Sequence, residues 1–260
     1  MPSADNPAAP GRWISGAAPA GDAVRLFCFA HAGGGARFFL PWREALGPDV
    51  QVCPIVLPGR ESRLREEPRT RLGPLVRELS AALAPYLDRP YAFFGHSLGS
   101  LLAYETAKQL IVEGRPGPAV LLASGRQAPQ QSRQSSLHLL PTEQFLDHLI
   151  ALGGTAAGTG LRRRLLESFV PMLRADYGLT ETYRTGPEPG LSCPVVAYHG
   201  RQDPVATEEQ VARWRESTTG PFRLRMFDGD HFYHRDAPAA VTAAIRADLA
   251  AADLLPAGIP

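Results

Sequence analysis

Cysteine is scarce in this chain of 260 residues: Cys28, Cys53 and Cys193 are an odd number, far apart, and each falls in an apolar stretch that reads as a strand. They read as small core residues, which excludes a disulfide framework and a cysteine zinc site. A surplus of charge is also missing. The 27 basic residues against 26 acidic ones leave a formal net charge of +1, so no global field draws the protein to nucleic acid or to an anionic membrane, and its binding must be local. No apolar run approaches membrane-spanning length, and Pro, Gly and Asp interrupt the first 21 residues where a signal peptide needs an unbroken apolar core. The expectation is a cytoplasmic protein with a loosely ordered arm over residues 1–21 and a loose tail from Pro256. No internal repeat is visible.

With 44% hydrophobic and 20% charged residues, the chain can close one sizeable core. Short apolar runs rich in β-branched and aromatic residues at 24–30, 50–57, 91–94, 119–124, 194–199 and 222–227 predict strands. Helix-period segments lie between them at 38–46, 72–87, 98–113, 207–217 and 238–252. This alternation predicts an α/β fold, a mostly parallel sheet covered on both faces, with ligands bound beyond the carboxyl ends of the strands. The core is expected over 22–128 and 192–255. From 129 to 191 the only clear periodicity is helical, with Phe145, Leu149 and Leu152 on one face and Leu161, Leu165 and Phe169 on another. This segment reads as an inserted helical lid. Pro171 is expected to start a new helix there, because its ring forbids an interior hydrogen bond. Gly153, Gly154, Gly158 and Gly160 make the insert supple, so it either gates a pocket or is a fixed elaboration.

Gly95-His96-Ser97-Leu98-Gly99 has the G-x-S-x-G pattern, in which a strand turns sharply into a helix and presents its serine. In a chain with 25 glycines the pattern alone is weak. It gains weight from context, since Tyr91-Ala92-Phe93-Phe94 is a strand pattern directly before it and a helix pattern follows from Leu98. Ser97 is therefore the expected nucleophile, on an α/β-hydrolase core. A serine hydroxyl needs a base, and histidine suits the task. Of seven histidines, His231 follows the last strand through Asp228-Gly229-Asp230, where this fold's chain order of serine, acid, histidine places the base. His234 is its nearest rival. His138 and His148 fall in the insert, His199 lies inside a strand, and His96 is too close to the serine to face it.

The orienting carboxylate is expected at Asp203, just past the strand ending at His199, with Asp228 and Asp230 as alternatives. The oxyanion donors are expected to be the backbone N–H groups of Leu98, at the helix start, and of Ala32, in the loop His31-Ala32-Gly33-Gly34-Gly35 after the first strand. That loop lacks the Lys-Ser/Thr of a phosphate-binding P-loop. This chemistry calls for no cofactor and no metal.

Over nearly its whole length the chain resembles the type II thioesterases of polyketide and nonribosomal peptide synthesis. The resemblance rests on the elbow, on Phe27-Cys28-Phe29-Ala30-His31-Ala32-Gly33-Gly34, on Leu57-Pro58-Gly59-Arg60-Glu61 with Arg63, on Leu173-Arg174-Ala175-Asp176-Tyr177, and on Gly229-Asp230-His231-Phe232-Tyr233. Two departures are Ala30, where the family often has proline, and Ser100, where alanine commonly follows the elbow. The resemblance implies a hydrolase that clears stalled or misprimed acyl groups from the phosphopantetheine arms of acyl or peptidyl carrier proteins. It also implies docking of an acidic carrier protein. Arg60, Arg63, Arg65, Arg69 and Arg71, and separately Arg162, Arg163 and Arg164, are basic clusters that either meet such a partner or form a solvated surface. The residues themselves leave open a carboxylesterase or lipase, an acyltransferase, and a non-catalytic binding module on the same fold.

Overall fold

The apolar runs assemble into one parallel sheet in the computed structural model, which describes residues 12–16, 18–131, 135–152, 160–185 and 190–255. Its strands are β1 (Val24–Phe29), β2 (Val50–Pro54), β3 (Tyr91–His96), β4 (Val120–Ser124), β5 (Val195–Gly200) and β6 (Phe222–Phe227), in the order β2-β1-β3-β4-β5-β6. All five pairings are parallel. The helices are α1 (Trp42–Leu46), α2 (Leu72–Leu83), α3 (Leu98–Val112), α4 (Thr142–Ala151), α5 (Gly160–Glu181), α6 (Glu208–Ala212), α7 (Tyr233–Asp236) and α8 (Pro238–Ala251).

Both faces of the sheet are buried, which is why its strands read as nearly continuous apolar runs. Phe27, Phe29, Phe93, Leu121 and Ala197 point to one side, where α2 and α3 cover them. Leu26, Cys28, Ala92, Phe94, Leu122 and Tyr198 point to the other, against Trp42 of α1 and Val241, Ile245 and Leu249 of α8. The order of the strands reverses between β1 and β3, so a crevice opens between the loops that leave their carboxyl ends. Those loops are 30–35 and the turn at Ser97.

Four expectations need correction. Residues 12–16 are not a loose arm: Trp13 is fully buried, Ile14 bridges Ile55 antiparallel, and the Trp13 carbonyl accepts from Val56 N at 2.8 Å. A lone Trp-Ile pair among Pro, Ala and Gly gives no periodicity, yet it covers the edge of β2, and the Arg63 guanidinium stacks 3.8 Å above the Trp13 ring. Pro171 starts no helix, because α5 runs through it. Pro171 and Glu167 are both exposed, so the carbonyl one turn back that loses its donor faces water. Cys193 lies in the turn before β5 rather than in a strand, and all three cysteines are free. Burial pushes the Cys53 thiol up to about 12 and Cys193 to about 11, so neither is poised to react.

The fourth correction concerns the arginines. Arg60 and Arg63 are 6% and 2% exposed and form no docking surface. Arg63 is paired with Glu66 through two hydrogen bonds, and Arg69 with Glu78. Arg163 is paired with Glu143 and Asp147 on α4, and the side chains of Arg162 and Arg164 lie outside the described residues.

Between β4 and β5, α4 and α5 pack on each other through Phe145, Leu146, Leu149, Val170, Met172 and Leu173, a cluster separate from those on the sheet. Leu152 is partly buried and Phe169 is 41% exposed, while Gly153, Gly154 and Gly158 and the side chains of Leu161 and Leu165 lie outside the described residues. No helix among the described residues is long and apolar enough to cross a membrane.

Candidate active site

Ser97 occupies the single residue between β3 and α3 and has φ 54° and ψ −114°, a conformation that L-residues rarely hold. The glycines on either side are there for space. A Cβ on Gly95 would come within 2.2 Å of the Gly99 carbonyl oxygen, and one on Gly99 within 2.0 Å of the Phe29 carbonyl oxygen. Strand β1 thus presses directly on the first turn of α3. Ser97 N donates to the Ser124 carbonyl at 2.8 Å. The Ser100 hydroxyl lies 2.8 Å from the carbonyl oxygens of Gly95 and Ser124 and accepts from Ser124 N at 3.0 Å. Serine in place of the more common alanine therefore staples the turn to β4.

His231 sits in the loop after β6, 3% exposed, with its Nδ1 2.8 Å from Asp203 Oδ2. The Asp203 side chain is fully buried in the loop after β5, and its Oδ1 accepts from Val205 N at 2.7 Å. A carboxylate only accepts, so Nδ1 of His231 carries the hydrogen and Nε2 keeps its lone pair. The alternatives separate from this pair. Asp228 is 95% exposed and faces Arg201, and Asp230 Oδ1 caps Phe232 N at 2.6 Å. His199 Nδ1 stands 3.8 Å from Asp203 Oδ2, too far for a hydrogen bond.

The other histidines near the site are packed beneath it. The His96 ring lies 4.8 Å from that of His231 and 4.1 Å from that of His234. His96 Nδ1 bonds the Ser124 hydroxyl at 2.8 Å, and that hydroxyl meets Tyr233 OH at 2.6 Å. Neither ring nitrogen of His234 has a hydrogen-bond partner among the described residues. Burial, reinforced by the neighbouring histidines and Arg235, holds His96 and His234 well below the usual imidazole range. Burial likewise pushes His31 down to about 3.

Ser97, Leu98, Ala32 and His231 line one cavity of about 270 Å³, closed from above by Leu137, His148, Leu152, Tyr177 and Thr180 of the insert. A second cavity of about 390 Å³ shares Ala32, Leu152 and Tyr177 with it and runs between the 31–35 loop and the apolar side of the insert, including Leu149, Phe169 and Met172. In that loop Gly33 N donates to Asp176 Oδ2 at 2.8 Å and Gly34 N to the His31 carbonyl at 2.9 Å. The Ala32 amide makes no such bond among the described residues. Asp176, on α5, is also paired with Arg60 through two bonds of 2.7 and 2.9 Å. In the sequence Asp176 did not stand out as part of a site and Arg60 did so only as a member of a basic cluster, although both fall in the segments Leu57–Glu61 and Leu173–Tyr177 that carry the resemblance. Among the described residues, no group of three or more His, Cys, Asp or Glu is placed to hold a metal ion.

Comparison with known proteins agrees with this architecture. A probable cadicidin biosynthesis thioesterase of Streptomyces griseus is 41% identical over 239 residues, which are 90% of this chain and 65% of that protein. The thioesterase PikA5 of Streptomyces venezuelae is 41% identical over 87% of this chain and 81% of its own length. Among solved structures, the RedJ thioesterase from the prodiginine pathway of Streptomyces coelicolor superposes with a TM-score of 0.84 at 38% identity, covering 90% of each chain. The thioesterase domain family matches residues 24–249, nearly the whole α/β-hydrolase core with its insert, and the chain belongs to that family.

Proposed function

We propose that this protein is a serine thioesterase that hydrolyses acyl groups from the phosphopantetheine arms of acyl or peptidyl carrier proteins in polyketide or nonribosomal peptide synthesis. The observation that carries the chemistry is the Asp203–His231 pair, buried and hydrogen-bonded at 2.8 Å, opening onto the same cavity as the strained Ser97. His231 Nε2 takes the proton of Ser97 as its Oγ attacks the thioester carbonyl. The tetrahedral oxyanion receives hydrogen bonds from the Leu98 amide, at the start of α3, and from the Ala32 amide, which the loop leaves unengaged. Collapse expels the phosphopantetheine thiol with the proton from His231 and leaves an acyl-Ser97 ester. A water deprotonated by His231 then attacks the ester and releases the carboxylic acid and the serine.

The substrate class rests on the relatives, one named for cadicidin biosynthesis and one for the prodiginine biosynthetic pathway, and on the cavity. Two joined chambers under the insert suit a small acyl group on a thin arm, and the insert acts as the lid over them. Carrier docking does not use Arg60 or Arg63, which are buried. Exposed Arg65 and Arg71 remain available to an acidic partner. A general esterase would use the same groups, so the test compares kcat/KM for one acyl group on a phosphopantetheinylated carrier protein and as a simple oxygen ester. The proposal expects a preference of at least about a hundredfold for the carrier thioester, around 3 kcal/mol of transition-state binding. Equal or reversed values would make the protein a general esterase.

A further inference from the structure

The loop that offers the Ala32 amide does not hold its own shape. Its carbonyl at Gly34 accepts from Arg60 Nη1 at 2.9 Å, and its amides at Ala36 and Arg37 donate to the two Glu61 oxygens at 3.0 Å each. Its amide at Gly33, next to Ala32, donates to Asp176. Asp176 belongs to α5, the long helix of the insert, and its side chain is 2% exposed against 6% for Arg60. The two oxygens of this carboxylate take two bonds from one guanidinium and a third from the loop backbone, a fixed planar geometry. Contact is close here as well, since a Cβ on Gly33 would lie 2.5 Å from Leu173 Cδ2 on the same helix.

We infer that Asp176 and Arg60 are positioning residues, a clamp by which the insert helix α5 sets the Ala32 amide and so completes the oxyanion hole. The inference rests on the proposed role of Ala32. Asp176 lines neither cavity and Arg60 lines only the second one, away from Ser97 and His231, so the clamp reaches the reacting atoms through the loop. Removing the charge of Asp176 leaves the Gly33 amide and the Arg60 cation competing for one amide oxygen. The loop then relaxes, and a donor displaced by even a fraction of an ångström loses most of its hold on the transition state. The ground-state thioester, bound through its acyl chain and arm, is little affected.

The test uses the full-length enzyme and one acyl-carrier thioester. Asp176→Asn is expected to lower kcat about ten- to hundredfold per folded molecule, less than the roughly hundred- to thousandfold cost of losing an oxyanion donor outright because the Ala32 amide is displaced and not removed, with KM changed less than about twofold. Binding of an acyl boronic acid, which forms a tetrahedral adduct, should weaken in proportion to kcat, whereas binding of an unreactive thioether analogue should not. If Asp176→Asn folds poorly, Arg60→Met combined with Asp176→Leu removes both buried charges and keeps the interior volume, and the same loss of kcat is expected. A folded variant with unchanged kcat, or with the loss confined to KM, would overturn the clamp. Ser97→Ala keeps the two claims apart. If it retains turnover, the Ser97 mechanism itself fails; if it is inactive while Asp176→Asn is normal, only the clamp does.

Discussion

Lowering the pH from 7.5 to 5.0 should unfold this protein more readily, through histidines that the fold keeps neutral. The cause is the pair His96 and His234, which are 0% and 1% exposed. They lie among Phe38, Phe232 and Tyr233, with His31 and His231 beside them. Burial, then the neighbouring histidines and Arg235, keeps both rings neutral in the fold. In the unfolded chain each takes up a proton near pH 6.5. The unfolded state therefore binds protons that the folded state refuses, so stability rises with pH up to about 6.5 and is lost as the pH falls below it. At pH 5.0 an unfolded histidine is about thirtyfold more protonated than neutral, which favours unfolding by about 2 kcal/mol per ring and about 4 kcal/mol for the two. At pH 7.5 the same term is below about 0.1 kcal/mol. Against a total of about 5–15 kcal/mol this is a large loss.

Urea unfolding at the two pH values measures it, with His234→Phe as the control. Phenylalanine keeps an aromatic ring at that position and removes a group that has no hydrogen-bond partner among the described residues. Any packing strain it introduces is present at both pH values and cancels in the difference. The wild type should lose about 4 kcal/mol through these two rings between pH 7.5 and 5.0, with His31, also held neutral by burial, adding to the loss in both proteins, and the variant about 2 kcal/mol less. Equal losses in the two proteins would show that His234 is already charged in the fold, and the reasoning from its burial would be wrong.

Ser97→Ala and His231→Ala should each reduce kcat by about 10⁴-fold or more per folded molecule, and Asp203→Asn by a comparable factor, because the three act as one unit. If His231→Ala kept a tenth of the wild-type rate, the base would lie elsewhere. Trp13→Ala should lower the stability by about 3–5 kcal/mol, read from the urea midpoint with the slope unchanged, since it empties a fully buried site and strips the surface on which Arg63 stacks. Gly99→Ala should prevent soluble expression, because its methyl would stand 2.0 Å from the Phe29 carbonyl oxygen; a soluble variant with wild-type stability would show that β1 yields there.

Strands β1 to β5 were legible because burial on both faces leaves each one a nearly unbroken apolar run, and because turn residues bound it. The predicted run at 222–227 coincides with β6 even though Arg223 and Arg225 interrupt it, both of them paired with Asp248 of α8. That Ser97, Asp203 and His231 come together was legible for a different reason. From β3 to β6 the parallel strands lie side by side in chain order, so for the loops leaving their carboxyl ends position along the chain stands in for position in the crevice. Arg60 had no such help. Its partner Asp176 is 116 residues away on an inserted helix, and a run of arginines looks the same in a sequence whether its members are solvated or buried against carboxylates. Trp13 was misplaced on similar grounds, since its burial depends on β2 offering an edge. Pro171 was misjudged because the rule against interior proline assumes that the freed carbonyl is buried, and here it faces water.

What remained hidden in the sequence is therefore mostly what joins distant segments, and in this protein those joints converge on the oxyanion loop and the elbow. Neither holds its shape by local propensity. Ser97 has a φ of 54°, a conformation costing a non-glycine residue about 1–3 kcal/mol. It is kept there by the Ser124 carbonyl, by the Ser100 hydroxyl and by the contact of Gly99 with β1. The 31–37 loop is kept by Arg60, Glu61 and Asp176. Two strained or unsupported backbones are thus fixed by a hydroxyl from α3, an arginine and a glutamate from the loop after β2, and a carboxylate from the insert. A nucleophile and its oxyanion donors must be aligned to a fraction of an ångström before the substrate arrives. Four side chains drawn from three separate elements achieve this without lining the cavity that holds Ser97 and His231.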